Sequence, residues 1–178
     1  GVPYYKYNRS SNTRTVGSDT NIYPNNYKYS QIRAYLNGLD YYYALGSTSY
    51  TVKNTDYTGK GFLQTAFTAE AQNLIAVTTV NNNTSSTIDH DSILEYASSY
   101  HCADTEDKIF LLSIKEATSY GFQAYSKSGK GNARIRKPTD YAMANCAYQN
   151  STAGYGGYWW LRSPIDKYSY YARRVEYD

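Results

Sequence analysis

Tyr155 to Pro164, reading Tyr-Gly-Gly-Tyr-Trp-Trp-Leu-Arg-Ser-Pro, constrains this chain most, because it sets both of its tryptophans between a flexible entry and a rigid exit. Gly154, Gly156 and Gly157 admit positive φ, while Tyr158, Trp159, Trp160 and Leu161 are bulky strand formers. The spacing therefore predicts a turn into a buried strand that Pro164 ends. Adjacent strand residues point to opposite faces, so one tryptophan suffices for a core; packing of both Trp159 and Trp160 between layers is the expectation. Arg162 is the one charge in this apolar run. A guanidinium beside two tryptophans is costly to desolvate alone, so a carboxylate or loop carbonyls should hold it as a structural tie. From Ile165 to Asp178 the chain mixes small, charged and aromatic residues, the composition of a contact surface.

Ahead of that stretch, the pattern predicts short helices and strands in long polar connections. One strand is expected around Val2 to Tyr7, in a stretch otherwise read as looped. Ser30 is an N-cap candidate, with Ile32, Tyr35, Leu36 and Leu39 at helical spacing and Gly38 near the end. Tyr41 to Gly61 reads as a loop or irregular hairpin. A helix starts at Thr68, with Glu70 in its first turn and Leu74 and Ile75 inward. Ala76 to Val80 reads as a strand stopped by Asn81, Asn82 and Asn83. Asp89 to Tyr100 reads as a helix, Asp107 to Ser113 as an apolar core strand, and Ser113 with Glu116 as a capping box for a helix ending near Gly121. Gly129 to Lys137 is a basic loop, and Pro138-Thr139 opens a helix through Tyr141, Ala142 and Met143. The expected core is Ile32, Leu36, Leu74, Ile75, Ile109, Leu111, Trp159 and Leu161. Without alternating βαβ units or internal repeats, the order fits an α+β domain.

A chain of 178 residues is expected to form one domain, 1–178, able to bury a core without metals or a dense disulfide framework. Its 24 tyrosines favour cores that open onto adhesive surfaces. A net charge of +3 without a long basic run argues against a nucleic-acid partner. No apolar stretch approaches the roughly 20 residues that span a bilayer, so no transmembrane segment is expected. The start Gly1-Val2-Pro3-Tyr4 has neither an initiator Met nor an apolar leader, so targeting and attachment to a cell surface would fall to a preceding segment. Cys102 and Cys146 stand at no metal spacing and read either as one disulfide or as two unrelated buried thiols.

Catalytic patterns are missing from the sequence. His90 and His101 sit in no zinc-protease, nucleophile-elbow or papain-like context. His90 lies between Asp89 and Asp91, a trio that reads more simply as solvated surface than as a metal site. Glu95, Asp104, Glu106 and Asp107 include carboxylates enough for glycoside chemistry, but a solvated acidic face is the simpler reading. Gly129-Lys130-Gly131 is too short for a phosphate cradle. No metal, no cofactor and no turnover are expected.

Several spaced runs nevertheless agree, in order, with a known family. They are Ile32-Arg33-Ala34-Tyr35-Leu36-Asn37, Phe67-Thr68-Ala69-Glu70, Asp107 to Ser113 with Glu116-Ala117, Thr139-Asp140-Tyr141-Ala142, and Trp159-Trp160-Leu161-Arg162-Ser163-Pro164. From about Ser30 onward the chain resembles bacterial extracellular domains with the C-type-lectin-like fold, in the subgroup shared with formylglycine-generating enzyme. Within it the chain is similar to the Treponema variable protein group, whose C-terminal region is diversified by a retroelement on a fixed scaffold. The Glu-Pro-Asn, Gln-Pro-Asp and Trp-Asn-Asp motifs of calcium-dependent lectins are missing, so the resemblance implies no calcium site. Cys102 and Cys146 do not match the catalytic cysteines of the oxidase, so that activity is not implied either.

The resemblance implies an extracellular or bacterial cell-surface domain with a protein or glycan ligand. Adenine-directed mutagenesis of an Asn codon ending in a pyrimidine yields Ile, Asp, Tyr, Ser or Arg but not Lys or Glu. The ligand-contacting, variable positions would then be Ile165, Asp166, Tyr168, Ser169, Tyr170, Tyr171, Arg173, Tyr177 and Asp178, with Lys167 and Glu176 fixed. Three readings stand beside one another: a ligand-binding module, a structural subunit of a cell-surface assembly making Tyr-rich contacts, and an enzyme of the same fold. Fold alone does not choose among them.

Overall fold

The computed structural model describes residues 13–16, 18–41, 55–83, 100, 102–122, 136–149, 156–164 and 172–175. These carry a mixed α+β arrangement of short helices around small antiparallel sheets. Strands β1 (Arg14–Val16) and β2 (Asp19–Ile22) pair with an irregular register and bury Val16 and Ile22 against Tyr29. The polar composition of this segment gave no sign of the pairing. The expected strand at Val2 to Tyr7, the helix at Asp89 to Tyr100 apart from Tyr100 itself, and the basic loop up to Ile135 lie outside the described residues.

Helix α1 (Gln31–Asn37) forms as its sequence signals dictate. The Ser30 side chain accepts from the Arg33 N–H, and Gly38 closes the helix at φ 65° with its own N–H turned back to Ala34 and Tyr35. A Cβ at Gly38 would lie 2.0 Å from Oε1 of Gln64, the far end of a flexible side chain that can swing aside, so it is the positive φ that demands glycine there. Gln64 belongs to α2 (Phe62–Ala66), a helix the periodicity did not signal. The expected irregular hairpin before it is partly seen: Asp40 and Asp56 form an isolated antiparallel bridge, while residues 42–54 lie outside the described set.

Helix α3 (Ala69–Leu74) begins at Thr68 as expected, but its inward face does not exist: it contains no buried residue, and Leu74 is 86% exposed. Polar ties hold it instead, with Gln72 Nε2 donating to the Phe67 carbonyl and Lys108 Nζ donating to the Gln72 carbonyl at 2.6 Å. Ile75 is half-buried. Strand β3 (Thr78–Val80) pairs antiparallel with β4 (Thr105–Asp107), and residues 81–83 leave it as coil.

The apolar run after Asp107 is not the expected strand; only Thr105–Asp107 pairs, and residues 108–113 are irregular. Side chains and a neighbouring strand have taken over their backbone groups. Asn37 Oδ1 accepts from the N–H groups of Lys108 and Ile109 at 3.0 and 3.1 Å, and Asn37 Nδ2 donates to the Ile109 carbonyl at 2.8 Å. The Leu112 carbonyl accepts from the Arg162 N–H at 2.9 Å. With those groups satisfied, no ladder is needed.

Helix α4 (Ile114–Ser119) has both halves of the capping box: Ser113 Oγ accepts from the Glu116 N–H, and Glu116 accepts from the Ser113 N–H. Helix α5 (Asp140–Ala144) is capped by Thr139. Strand β5 (Trp159–Pro164) pairs antiparallel with β6 (Ala172–Val175), so the strand expected of the Trp-Trp-Leu-Arg-Ser-Pro run forms. Two apolar clusters flank this hairpin. Leu161, Ile114 and Ala117 bury together, with Trp159 and Phe122 packed on them; Ala172 joins Tyr27 and Ile32, against which Leu36, Phe110 and Leu111 pack. Leu36, Ile109 and Leu111, expected in the core, are half-buried, while Tyr27, Ala34, Tyr41, Leu63 and Ile114 are core residues the periodicity missed. No helix among the described residues is long and apolar enough to cross a membrane.

Truncating fully buried Leu161 to Ala should lower the unfolding free energy by about 2–5 kcal/mol, whereas Leu74→Ala should stay within about 0.5 kcal/mol of wild type. Urea denaturation of the two variants checks the pair; equal losses would remove Leu161 from the core.

Candidate functional site

The site grows from the charge buried on β5. Arg162 is 4% exposed, and its guanidinium reaches three other segments. Both of its terminal nitrogens meet the Glu116 carboxylate, Nη2 to Oε1 at 2.8 Å and Nη1 to Oε2 in a short contact. Nη1 also donates to the Leu111 carbonyl at 2.8 Å, and Nη2 to the Asn81 carbonyl at 3.0 Å. The expected tie to a carboxylate or to carbonyls is thus both at once. Ser163 Oγ, one residue on, accepts from the Ile114 N–H at 3.0 Å. Glu116 serves the helix cap and the ion pair together. Partial burial pushes its carboxyl up, but Arg162 and the Ser113 N–H outweigh that and hold it below the usual carboxylate range.

A second ion pair lies across the same seam. Arg33 Nε donates to both oxygens of Asp107, at 2.8 and 3.0 Å, and the Asp107 side chain has no exposed surface. Thr105 Oγ1 donates to Asp107 Oδ2 at 2.7 Å and accepts from Asn82 Nδ2 at 3.1 Å. Asn82 adjoins Asn81, whose carbonyl Arg162 uses. The polar chain therefore runs from α1 through β4 and residues 81–82 to β5 and α4. Asp107 is accordingly not part of a solvated acidic face; its partners Arg33 and Thr105 offset the cost of burying it. Asp104 and Glu106 are exposed, as that reading required.

The two tryptophans separate. Trp159 is half-buried and meets Phe122 edge to face at 5.9 Å between centroids, but Trp160 is 37% exposed. Packing of both between layers is therefore incorrect: β5 is buried from Leu161 to Pro164, and Trp160 lies ahead of that covered part. Gly157 is needed for close approach rather than for positive φ, since a Cβ there would lie 2.9 Å from the Tyr148 carbonyl oxygen and 3.0 Å from Pro138. Tyr148 and Tyr158 stack beside it, with centroids 5.1 Å apart and planes 11° from parallel.

The hairpin fixes where residues 165–171, which include six of the candidate ligand residues, start and end. Pro164 and Ala172 are Cα partners and both are buried, so residues 165–171 leave and rejoin the fold at one paired position. Arg173 lies on β6. Ile165, Asp166, Tyr168, Ser169, Tyr170, Tyr171, Tyr177 and Asp178 lie outside the described residues, as do Asp89, His90, Asp91, Glu95 and His101. Among the described residues no three His, Cys, Asp or Glu side chains gather as a metal site. Cys102 and Cys146 are not joined. The Cys102 thiol donates to Asn26 Oδ1 at 3.3 Å, and burial pushes it up to about 11; Cys146 is exposed, contrary to the reading of two buried thiols.

The architecture is that of a small α+β domain whose C-terminal hairpin is anchored by a buried ion pair. A family model matches residues 8–178, and the chain belongs to that family, described as a domain of unknown function, DUF6273. No curated protein and no solved structure matches the chain.

Arg162→Met should cost about 3 kcal/mol, because it leaves Glu116 and two carbonyls without their donor. The pH dependence has a definite sign. Glu116 has a folded pKa below its unfolded one, so its contribution is present above the ordinary carboxylate pKa and is lost as pH falls through the lowered value. Chemical denaturation of wild type and Glu116→Gln across that range checks this: the gap between them should close in acid, and a gap that does not change with pH would exclude the ion pair as its origin.

Proposed function

We propose that this chain is a surface-displayed ligand-binding domain of the C-type-lectin-like fold, in the formylglycine-generating-enzyme-like subgroup, with its C-terminal region as a variable contact surface. The observation that carries the reading is the seating of residues 165–171 between Pro164 and Ala172, a paired and buried position on a hairpin locked by Arg162. Binding loops that change in sequence need a scaffold whose stability does not depend on them. Here the anchoring groups, Arg162, Glu116, Asn81 and Leu111, all lie outside the proposed variable set.

A second feature agrees with the resemblance. Its spaced motifs meet in space: Arg33 with Asp107, Asn37 with Lys108 and Ile109, and Glu116 with Arg162. On this reading the motifs define the scaffold, and the residues after Pro164 meet a protein or glycan at the bacterial cell surface. Tyr168, Tyr170, Tyr171, Tyr177 and Arg173 supply the side-chain types that most often dominate binding energy.

Sequencing homologous loci from related strains tests the proposal. Substitutions should concentrate at Ile165, Asp166, Tyr168, Ser169, Tyr170, Tyr171, Arg173, Tyr177 and Asp178 and spare Lys167 and Glu176. A reverse transcriptase gene and a near-identical non-coding copy of the C-terminal coding region should lie nearby. Substitutions spread evenly over residues 1 to 178 would contradict it.

A further inference from the structure

We propose that Asn37–Gly38 is a spontaneous modification site, a deamidation step that the folded chain holds shut and that separation of α1 from residues 108–109 releases. It is the one Asn-Gly step in the sequence. Each residue stands there for a structural reason. Residue 37 must accept from two N–H groups and donate to a carbonyl at once, which a carboxamide does and a carboxylate, having no donor, does not. Asn37 Oδ1 takes the Lys108 and Ile109 N–H groups at 3.0 and 3.1 Å, while Nδ2 donates to the Ile109 carbonyl at 2.8 Å and to the Arg33 carbonyl at 3.3 Å. Residue 38 must take φ 65°, which selects glycine. Together the two demands produce a chemically labile pair, because a glycine nitrogen has no neighbouring side chain to hinder its attack on the amide before it.

The chemistry needs only water. The Gly38 nitrogen gives its proton to solvent base and attacks Asn37 Cγ; the N–Cγ bond forms, the Cγ–Nδ2 bond breaks, and ammonia leaves carrying a proton. Water then opens the cyclic imide at either carbonyl to give aspartate or isoaspartate, so carboxamide and water become carboxylic acid and ammonia with no change of oxidation state. Three features of the folded chain oppose the first step. Asn37 is the last residue of α1, and a helical ψ keeps the next nitrogen away from Cγ. The Gly38 N–H is turned to the Ala34 and Tyr35 carbonyls, which hold its proton. Gly61 closes on it from outside, for a Cβ there would lie 2.7 Å from the Gly38 nitrogen and 2.6 Å from its Cα, and the Gln64 amide lies over Gly38 as well. Reaction therefore waits for a local opening of this seam. Once it has occurred it is one-way: the product has no amide to give the Ile109 carbonyl, and isoaspartate adds a backbone carbon at the end of α1. The modified fraction is thus a record of how often α1 has parted from residues 108–109.

The full chain should be incubated at physiological temperature and mildly alkaline pH, once in native buffer and once in concentrated urea. Peptide mapping by mass spectrometry reads the amide-to-acid conversion at each Asn, with ammonia release measured alongside. In urea Asn37 should convert ahead of every other Asn, and in buffer at least about a hundredfold more slowly. Gln64→Ala uncovers Gly38 and leaves the Asn37 carboxamide its partners, so it should raise the rate in buffer severalfold and leave the rate in urea unchanged. Asn37→Asp, the simpler product, should melt below wild type. Equal rates in the two solvents, another Asn converting first in urea, or a rate in buffer that ignores Gln64→Ala would overturn the assignment. An Asn37→Asp variant as stable as wild type would overturn its one-way character.

Discussion

The contact between Arg162 and Glu116 is the one on which the rest of the C-terminal architecture depends. A guanidinium with 3% of its side chain exposed would be strongly unfavourable if unpaired. Its bidentate carboxylate partner and two carbonyls remove that cost, and each sits on a different segment: α4, residue 111 and residue 81. Satisfying one charge therefore fixes three pieces of chain relative to β5. The same carboxylate closes the capping box of α4, so helix start and hairpin docking share one group. Replacing such a pair with apolar residues often stabilises a protein, so its value here is better sought in specificity of arrangement than in net stability.

The second pair, Arg33 with Asp107, extends this seam to α1 through Thr105 and Asn82. Between the two pairs runs the irregular segment 108–113, whose backbone groups are met by Asn37 and β5 instead of by a sheet. The sheets themselves are two-stranded pairs, marginal alone, so side-chain hydrogen bonds carry much of what larger sheets supply elsewhere. The outcome is a base in which Pro164 and Ala172, the residues on either side of 165–171, are paired and buried; the proposed contact surface would rest on it.

Local signals were legible where the chemistry is local. Ser30 with Gly38, Thr68, Thr139 and the Ser113–Glu116 box marked their helix ends correctly, because a cap is decided within four residues. The tie on Arg162 was also readable, since a lone charge in an apolar run must find partners. What failed depended on distant residues. Asp107 to Ser113 reads as a strand by hydrophobicity, but Asn37, some seventy positions earlier, supplies its hydrogen bonds. Leu74 has apolar chemistry and no layer to pack on, and Trp160 is exposed because the elements that bury β5 cover it only from Leu161 onward. Of the candidate ligand residues only Arg173, on β6, lies among the described residues, and the codon pattern that singled the set out has no structural counterpart.

Native-state hydrogen exchange at the Arg162 amide, which donates to Leu112 between β5 and the irregular segment, tests the anchoring most directly. It should be compared with the amides of Ala34 in α1 and Ala117 in α4. If the buried pair makes the hairpin part of the same cooperative unit as those helices, the three amides exchange with one shared opening free energy. Exchange at Arg162 orders of magnitude faster than at Ala34 and Ala117 would mean that the hairpin opens alone, and would contradict its role as a fixed base.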